Sequence, residues 1–388
     1  EAMRKVAVLT MQRSLNYGAV LQAYALQRRI LSFGVQCEII DLLRPVHSGY
    51  RSSQISEQLS PYRLQKKDSN CKGLHYCLKA MLKIRLEKIL QRKRIERFRK
   101  FDNEFIIYSP KPIYCAEELY TFIKEYDAYV TGSDQVWNPT YPYSPEPYFL
   151  TFVPEGIPRI AYAPSFGVSS IDKTVHDVYK KWLMGITRLS VREKQGASLI
   201  KEISGRTAEV VLDPTLLLND AEWLEVSKTP KTHKPYIFCY DLGNNAGLKI
   251  LCKYLHNYTG YNVYRISNNL EHSISGIIDV YGAGPQEFLG WINGAALVVT
   301  NSYHGMVLSI NMKKPFYVVM KKNGVNTRNS RIDNILEMLE LQDRLWCSSD
   351  VYPERNKMEL SFDNAMNILK VERKKSLEYL RSSIISSV

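Results

Sequence analysis

Leu297-Val298-Val299-Thr300-Asn301-Ser302-Tyr303-His304-Gly305-Met306-Val307-Leu308-Ser309-Ile310 is the stretch on which the fold turns. From Ala295 to Thr300 it is apolar and rich in β-branched residues, as a strand buried on both faces should be. Small polar residues then turn the chain, and a helical pattern follows with His304 near its start. The reading is strand, tight turn, helix N-terminus. Such a helix end has unpaired N–H groups and the positive end of the dipole, so it can hold an anion. A histidine there can donate a proton to the bound group, or it can be a structural residue satisfied by its neighbours.

Similar units lie on either side. Val6-Ala7-Val8-Leu9 is a short apolar strand, and Asn16-Tyr17-Gly18-Ala19 is a turn. Val20, Leu21, Tyr24, Ala25 and Leu26 then repeat at helical spacing to Leu31, with Gly34 as the stop. Val35 to Leu42 is the next strand, completing a β-α-β unit that lacks G-x-G-x-x-G and hence a dinucleotide fingerprint. Further strands end in polar clusters: Ala128–Thr131 in Gly132-Ser133-Asp134-Gln135-Val136-Trp137-Asn138, and Arg159–Ala163 in Pro164-Ser165-Phe166-Gly167. Leu189-Ser190-Val191-Arg192-Glu193 runs into a helix, and Glu209–Leu212 stops at Asp213-Pro214. Parallel strands would gather these clusters along one sheet edge.

Lys228–Lys234 is charged, contains proline and reads as a linker. A second β/α series follows: strand Tyr236–Tyr240, helix 246–258, strand Asn262–Ile266, helix Gln286–Asn293, the opening strand and helix, then strand Pro315–Met320 and helix Arg328–Leu339. The expected class is α/β, with two Rossmann-like domains facing a cleft in the GT-B-like manner. The first domain spans 3–227 on the acceptor side, the second spans 235–345 on the donor side, and 346–388 is a C-terminal helical segment that can cross back to the first domain.

A chain of 388 residues suits two domains, and 45% hydrophobic with 23% charged residues is ordinary globular material. No apolar run has the length of a membrane span, and no signal-peptide pattern opens the chain. Seven scattered cysteines without a CxxC pair suggest neither zinc nor a disulfide framework, so a cytoplasmic location is expected. The net charge of +13 is concentrated: Arg63 to Lys100 holds 14 Lys/Arg against Asp68, Glu87 and Glu96. A uniformly basic nucleic-acid binder would not be built this way, so no nucleic-acid partner is expected. Leu74, Leu78, Met81, Leu82, Ile89, Leu90, Ile95, Phe98 and Phe101 form a helical stripe through this segment. It reads as a basic helical insert, about 63–102, packed by that stripe, with a solvated basic face or a peripheral contact with an anionic membrane surface. Arg44 to Asn70, before it, reads as a long loop.

Several motifs occur in fixed order: Asn16-Tyr17-Gly18-Ala19-Val20-Leu21-Gln22-Ala23-Tyr24-Ala25-Leu26, Gly132-Ser133-Asp134-Gln135-Val136-Trp137-Asn138, Ala161-Tyr162-Ala163-Pro164-Ser165-Phe166-Gly167, Ser190-Val191-Arg192-Glu193, Asp213-Pro214-Thr215 and Thr300-Asn301-Ser302-Tyr303-His304-Gly305. Together, over roughly residues 4–340, they resemble the polysaccharide pyruvyl transferase family. The resemblance implies a GT-B-like fold and transfer of the enolpyruvyl carbon of phosphoenolpyruvate to sugar hydroxyls, usually as a cyclic pyruvate ketal. It implies no metal and no organic cofactor. A bacterial surface-polysaccharide precursor, as a sugar or lipid-linked saccharide, is the expected acceptor.

On that resemblance His304 corresponds to the family's general acid, and Asp134 can orient or deprotonate an acceptor hydroxyl. Arg192 can offer a bidentate fork to the donor, or pair with Glu193 or another acid. Asn301, Ser302, Tyr303 and Gly305 complete the donor turn. Asn16, Tyr17, Gly18, Ser133, Gln135, Trp137 and Ser165 are the acceptor-side candidates; turn chemistry, helix capping and aromatic packing explain several of them equally well. One departure stands out, because Ser302 occupies a position where better-understood branches of the family carry arginine. Arg328 and Arg331 can substitute, with Lys321 and Lys322 behind them, unless these charges belong to a solvated loop. A nucleotide-sugar glycosyltransferase and a non-catalytic carbohydrate-binding scaffold are the alternatives.

Overall fold

Short runs of β-branched and small apolar residues build two separate parallel sheets. The computed structural model describes residues 3–43, 74–121, 126–141, 144–232, 234–243, 245–267, 276–320, 329–348, 350–354 and 358–385; over 74–88 and at 90 and 329 it describes the backbone alone. The first sheet contains β1 (Lys5–Leu9), β2 (Gln36–Ile39), β3 (Ala128–Thr131) and β4 (Arg159–Ala161), in the order β2-β1-β3-β4 and all parallel. Two shorter strands, β5 (Ser190–Val191) and β6 (Glu209–Val210), continue its edge, because Ala161 N donates to Arg188 O at 2.9 Å. The second sheet comprises β7 (Tyr236–Asp241), β8 (Asn262–Ser267), β9 (Ile277–Asp279), β10 (Leu297–Thr300), β11 (Phe316–Met320) and β12 (Leu345–Cys347), ordered β9-β8-β7-β10-β11-β12.

Both orders reverse direction once, between β1 and β3 in the first sheet and between β7 and β10 in the second. Parallel α/β sheets bind ligands in the crevice beyond the carboxyl ends of the strands at such a reversal. The fold therefore singles out 10–14 with 132–134 on one side, and 241–243 with 301–304 on the other.

Helix α1 (Tyr17–Leu31) begins at Asn16, whose Oδ1 accepts from Ala19 N at 3.3 Å. It stops before Gly34, which sits at φ +79°. The basic segment forms α2 (Leu74–Phe105), while residues 63–73 and the expected loop 44–70 lie outside the described residues. At its C-terminal end Phe98 and Phe101 are fully buried. Arg97 Nη1 donates to Gly282 O at 2.9 Å, and the Arg97 side chain pairs with Glu287 at 3.5 Å. The insert thus reaches the second half of the chain as well as the first.

The remaining helices are α3 (His176–Met184), α4 (Lys194–Ser204), α5 (Asp220–Glu225), α6 (Ala246–Thr259), α7 (Pro285–Gly294), α8 (Tyr303–Asn311), α9 (Asn329–Met338) and α10 (Asp363–Ile385). Short α5 carries a capping box, Asn219 Oδ1 accepting from Glu222 N at 2.9 Å and Glu222 Oε2 from Asn219 N at 2.8 Å. Helix α10 packs on the first half of the chain. Its Ser376 Oγ accepts from Leu212 N at 3.0 Å, Tyr379 OH donates to Ala161 O at 3.0 Å, and Arg373 Nε donates to Leu216 O at 2.7 Å. Tyr17 at the start of α1 stacks on Phe288 of α7, centroids 4.4 Å apart and 12° from parallel, and its hydroxyl donates to Ala283 O at 2.7 Å. Among the described residues no helix is long and apolar enough to cross a membrane.

Candidate functional site

The carboxyl ends of the strands carry the polar clusters, and the fold brings them together. Thr10, directly after β1, donates from Oγ1 to Ser133 O at 2.9 Å and ties the ends of β1 and β3. Asp134 follows with φ +76°, a left-handed backbone that side-chain-bearing residues rarely adopt. That bend leaves Ser133 aimed at the chain beyond β6.

Asp213 is the hub. Its Oδ1 caps the short turn Pro214–Leu216, accepting from Thr215 N at 3.0 Å and Thr215 Oγ1 at 2.7 Å. Its Oδ2 accepts from Ser133 Oγ at 2.9 Å and Arg192 Nη1 at 2.9 Å, with His304 Nε2 at 3.7 Å. Burial alone would raise this carboxyl's pKa, but His304, Arg192 and Thr215 together outweigh it, and the group is held well below the usual carboxylate range. At 3.7 Å the histidine acts on it through charge rather than through a hydrogen bond.

The Arg192 guanidinium is fully buried. Besides Asp213 it has Asp134 and Glu193 at 3.6 Å each, and it lies 4.8 Å from the centroid of the Tyr303 ring. Burial disfavours its charge, but Asp213 and then Asp134 more than offset this and its pKa is raised. Glu193 shows the opposite balance: burial raises its pKa, and Arg192, Arg331 and Ser165 only partly pull it back. Ser165 donates to Glu193 Oε1 at 2.6 Å. Two arginines, 192 and 331, thus face three carboxylates, and a protonated His304 would make the group neutral.

His304 is the second residue of α8. Ser302 caps that helix, its Oγ accepting from Gly305 N at 3.2 Å, while its own N–H donates to Thr300 Oγ1 at 3.0 Å. His304 is 8% exposed, and among the described residues its Nε2 has no hydrogen-bond partner. Its other face lies on Gly18, where a Cβ would stand 2.0 Å from His304 Nδ1 and 2.4 Å from Cγ. The starts of α1 and α8 therefore meet at the histidine. Each start leaves first-turn N–H groups without helical acceptors, so the junction favours an anion.

Several expected residues lie elsewhere or are already engaged. Trp137 is fully buried, stacked on Phe149 with centroids 4.6 Å apart, and its Nε1 donates to Tyr148 O at 2.9 Å; it belongs to the core and offers no face to a sugar. Tyr17 brackets the two halves. Asn16 serves as a helix cap, and Ser133 and Ser165 are spent on Asp213 and Glu193. Asn301 joins β10 to β7, donating to Asp241 Oδ1 at 3.0 Å and accepting from Leu242 N at 2.9 Å. Gly305 lets α8 approach β10: a Cβ there would meet Thr300 Oγ1 at 2.6 Å. Gln135 lies beside Asn138 and Arg331. Arg328, Lys321 and Lys322 lie outside the described residues.

Sequence reasoning left out Asp213 and Glu193 as site residues. The signal was present: each is the polar residue that follows an apolar strand, as Ser133 and Asn301 are. Among the described residues no group of three or more His, Cys, Asp or Glu is arranged to hold a metal ion.

A family model described as polysaccharide pyruvyl transferase matches residues 16–322. No curated protein sequence matches the chain. Among solved structures, UDP-GlcNAc 2-epimerase from Neisseria meningitidis, bound to UDP-GlcNAc, is 10% identical, with 98% of this chain and 97% of that one covered and a TM-score of 0.44. UDP-N-acetylglucosamine 2-epimerase from Rickettsia bellii is 12% identical over 98% of this chain and 97% of that one, with a TM-score of 0.48. MurG from Acinetobacter baumannii is 10% identical over 99% of each chain, with a TM-score of 0.41.

Proposed function

This chain belongs to the polysaccharide pyruvyl transferase family, and from that premise we propose that it transfers the pyruvyl group of phosphoenolpyruvate to two hydroxyls of a saccharide, with His304 as general acid. The observation that carries this is the setting of His304. Its ring lies between Gly18 and Asp213, at the junction of two helix N-termini, with Nε2 free of hydrogen bonds among the described residues.

The chemistry follows from the donor. Phosphoenolpyruvate is an enol phosphate, and its methylene carbon must gain a proton before the neighbouring carbon becomes electrophilic. His304 delivers that proton from a ring whose Nε2 lies 3.7 Å from the buried Asp213 carboxylate. A first sugar oxygen bonds to the electrophilic carbon, the bond to the phosphate oxygen breaks, and phosphate departs. A second sugar oxygen then closes the ketal. The two hydroxyls release two protons, one restoring the acid and the other leaving with phosphate, so the step balances. The helix starts at Gly18 and His304 suit the donor's charge, and Asp134 is the base proposed for the acceptor.

Arg192 fits a different role from the direct donor clamp expected of it. Its ion pairs with Asp213, Asp134 and Glu193 make it the counter-ion that holds the acids in place. The acceptor proposed is a bacterial surface-polysaccharide precursor, sugar or lipid-linked, met at the cytoplasmic side of a membrane with help from the basic segment 63–100. Incubation with phosphoenolpyruvate and a panel of lipid-linked and nucleotide sugars, read by mass spectrometry, tests the reading. A product heavier by one pyruvic acid less one water is expected.

A further inference from the structure

Arg331 stands in the first turn of α9 and is 7% exposed. Among the described residues no carboxylate pairs with it, whereas Arg192 has three. Its partner is Gln135: with the amide oxygen turned toward the guanidinium, that oxygen accepts from Nη1 at 3.1 Å and Nη2 at 2.9 Å. An amide is neutral and does not compensate the charge. Among the described residues the Nε of Arg331 has no hydrogen-bond partner, and neither has the buried hydroxyl of Tyr303. The guanidinium lies 5.8 Å from the centroid of the Tyr303 ring, which is the residue next to His304. Burial and the nearby Arg192 disfavour its charge, with Glu193 and Asp134 offsetting part of that cost. A buried guanidinium with an open donor, near the ring of a tyrosine whose hydroxyl is also open, is what an anion site looks like before its ligand arrives.

We infer that Arg331, together with the Tyr303 hydroxyl, binds an oxyanion of the donor, carboxylate or phosphate, and supplies the cation that the chain lacks at Ser302. The inference rests on the proposed reaction for the identity of the ligand but not for the existence of the site. Ser302 is used as the cap of α8, and a side chain reaching from α9 across Tyr303 delivers charge to the same turn. A planar fork can pair with either oxyanion through two parallel N–H groups, and pyruvate and inorganic phosphate separate the two.

The test is calorimetric titration of the full chain with phosphoenolpyruvate, pyruvate and inorganic phosphate separately, in wild type, Arg331→Met, Arg331→Lys and Tyr303→Phe, with thermal unfolding of each. Expected are phosphoenolpyruvate binding weakened about 10- to 100-fold in Arg331→Met, partial rescue in Arg331→Lys and a smaller loss in Tyr303→Phe. The melting temperature of Arg331→Met should be unchanged or higher, because a buried charge without a paired carboxylate has been replaced by an apolar side chain of similar length. Loss of pyruvate binding in the variants would assign the carboxylate, and loss of phosphate binding would assign the phosphate. If wild type ignores phosphoenolpyruvate but binds another of these anions through Arg331, the proposed reaction fails and the anion site stands. Equal binding of every anion by wild type and Arg331→Met, or binding of none, overturns the inference.

Discussion

Gly18 and His304 touch across the junction of the two halves of the chain. A single added methyl at Gly18 would fall 2.0 Å from His304 Nδ1, closer than any real contact allows. Gly18 lies in an ordinary helical turn, so its lack of a side chain serves the histidine and not the backbone. Gly18→Ala is therefore expected to leave the fold standing and to move the imidazole. A displacement of that size costs on the order of 100-fold in rate. Product formation measured beside the melting temperature checks this: loss of activity with a near-wild-type melting temperature is the expected pair.

Asp213 ties four elements to one carboxylate, and its removal should be felt in stability. Asp213→Asn leaves Arg192 buried with its best partner gone, a change that costs about 3–5 kcal/mol. The pH dependence has a definite sign. The native pKa of Asp213 is depressed, so its contribution is fully present above the unfolded-state value of about 3.9 and is lost as pH falls below it. Denaturant unfolding from pH 7 to pH 3 should show a stability loss in wild type that is shallower in Asp213→Asn.

Trp137 separates packing from recognition. Buried against Phe149 and bonded to the Tyr148 carbonyl, it should behave as a core residue. Trp137→Ala is expected to cost about 3–5 kcal/mol of stability. Trp137→Phe, folded at low temperature, should keep its affinity for the acceptor, as competition binding with the saccharide would show.

Tyr17 links the halves through its ring on Phe288 and its hydroxyl on Ala283 O. Burial raises the phenol's pKa, so it remains a neutral donor at pH 7. Tyr17→Phe keeps the ring and removes the hydrogen bond, leaving a buried carbonyl unpaired. A loss of about 1–2 kcal/mol in chemical denaturation is expected.

Much of this was legible in the sequence, for physical reasons. Apolar strands buried on both faces announce themselves as continuous runs, which is why β1, β3, β7, β10 and β11 were found and why the polar residues after them could be placed at one edge. The three-residue strands β9 and β12 carry too few side chains for a periodic signal. The motif around His304 identified the residue, but not its neighbours: Gly18 and Asp213 lie 286 and 91 positions away along the chain. Partnership was the hardest feature to read. Arg192 stayed open between a donor clamp and a pair with Glu193 or another acid because Asp134 and Asp213 come from distant loops, and Trp137 was a candidate because nothing local reports that Phe149 covers it. Arg331 was one of several basic residues near residue 330, and only burial without a carboxylate set it apart.

The central claim is that His304 supplies the proton that starts pyruvyl transfer from phosphoenolpyruvate. Its most direct test is the reaction with carbon-labelled phosphoenolpyruvate and a lipid-linked saccharide acceptor, run with wild type and with His304→Gln of equal melting temperature and followed by mass spectrometry. Labelled ketal and stoichiometric phosphate from wild type, with His304→Gln slowed about 100- to 10,000-fold, is the expected result. Labelled ketal formed by His304→Gln at the wild-type rate would contradict it.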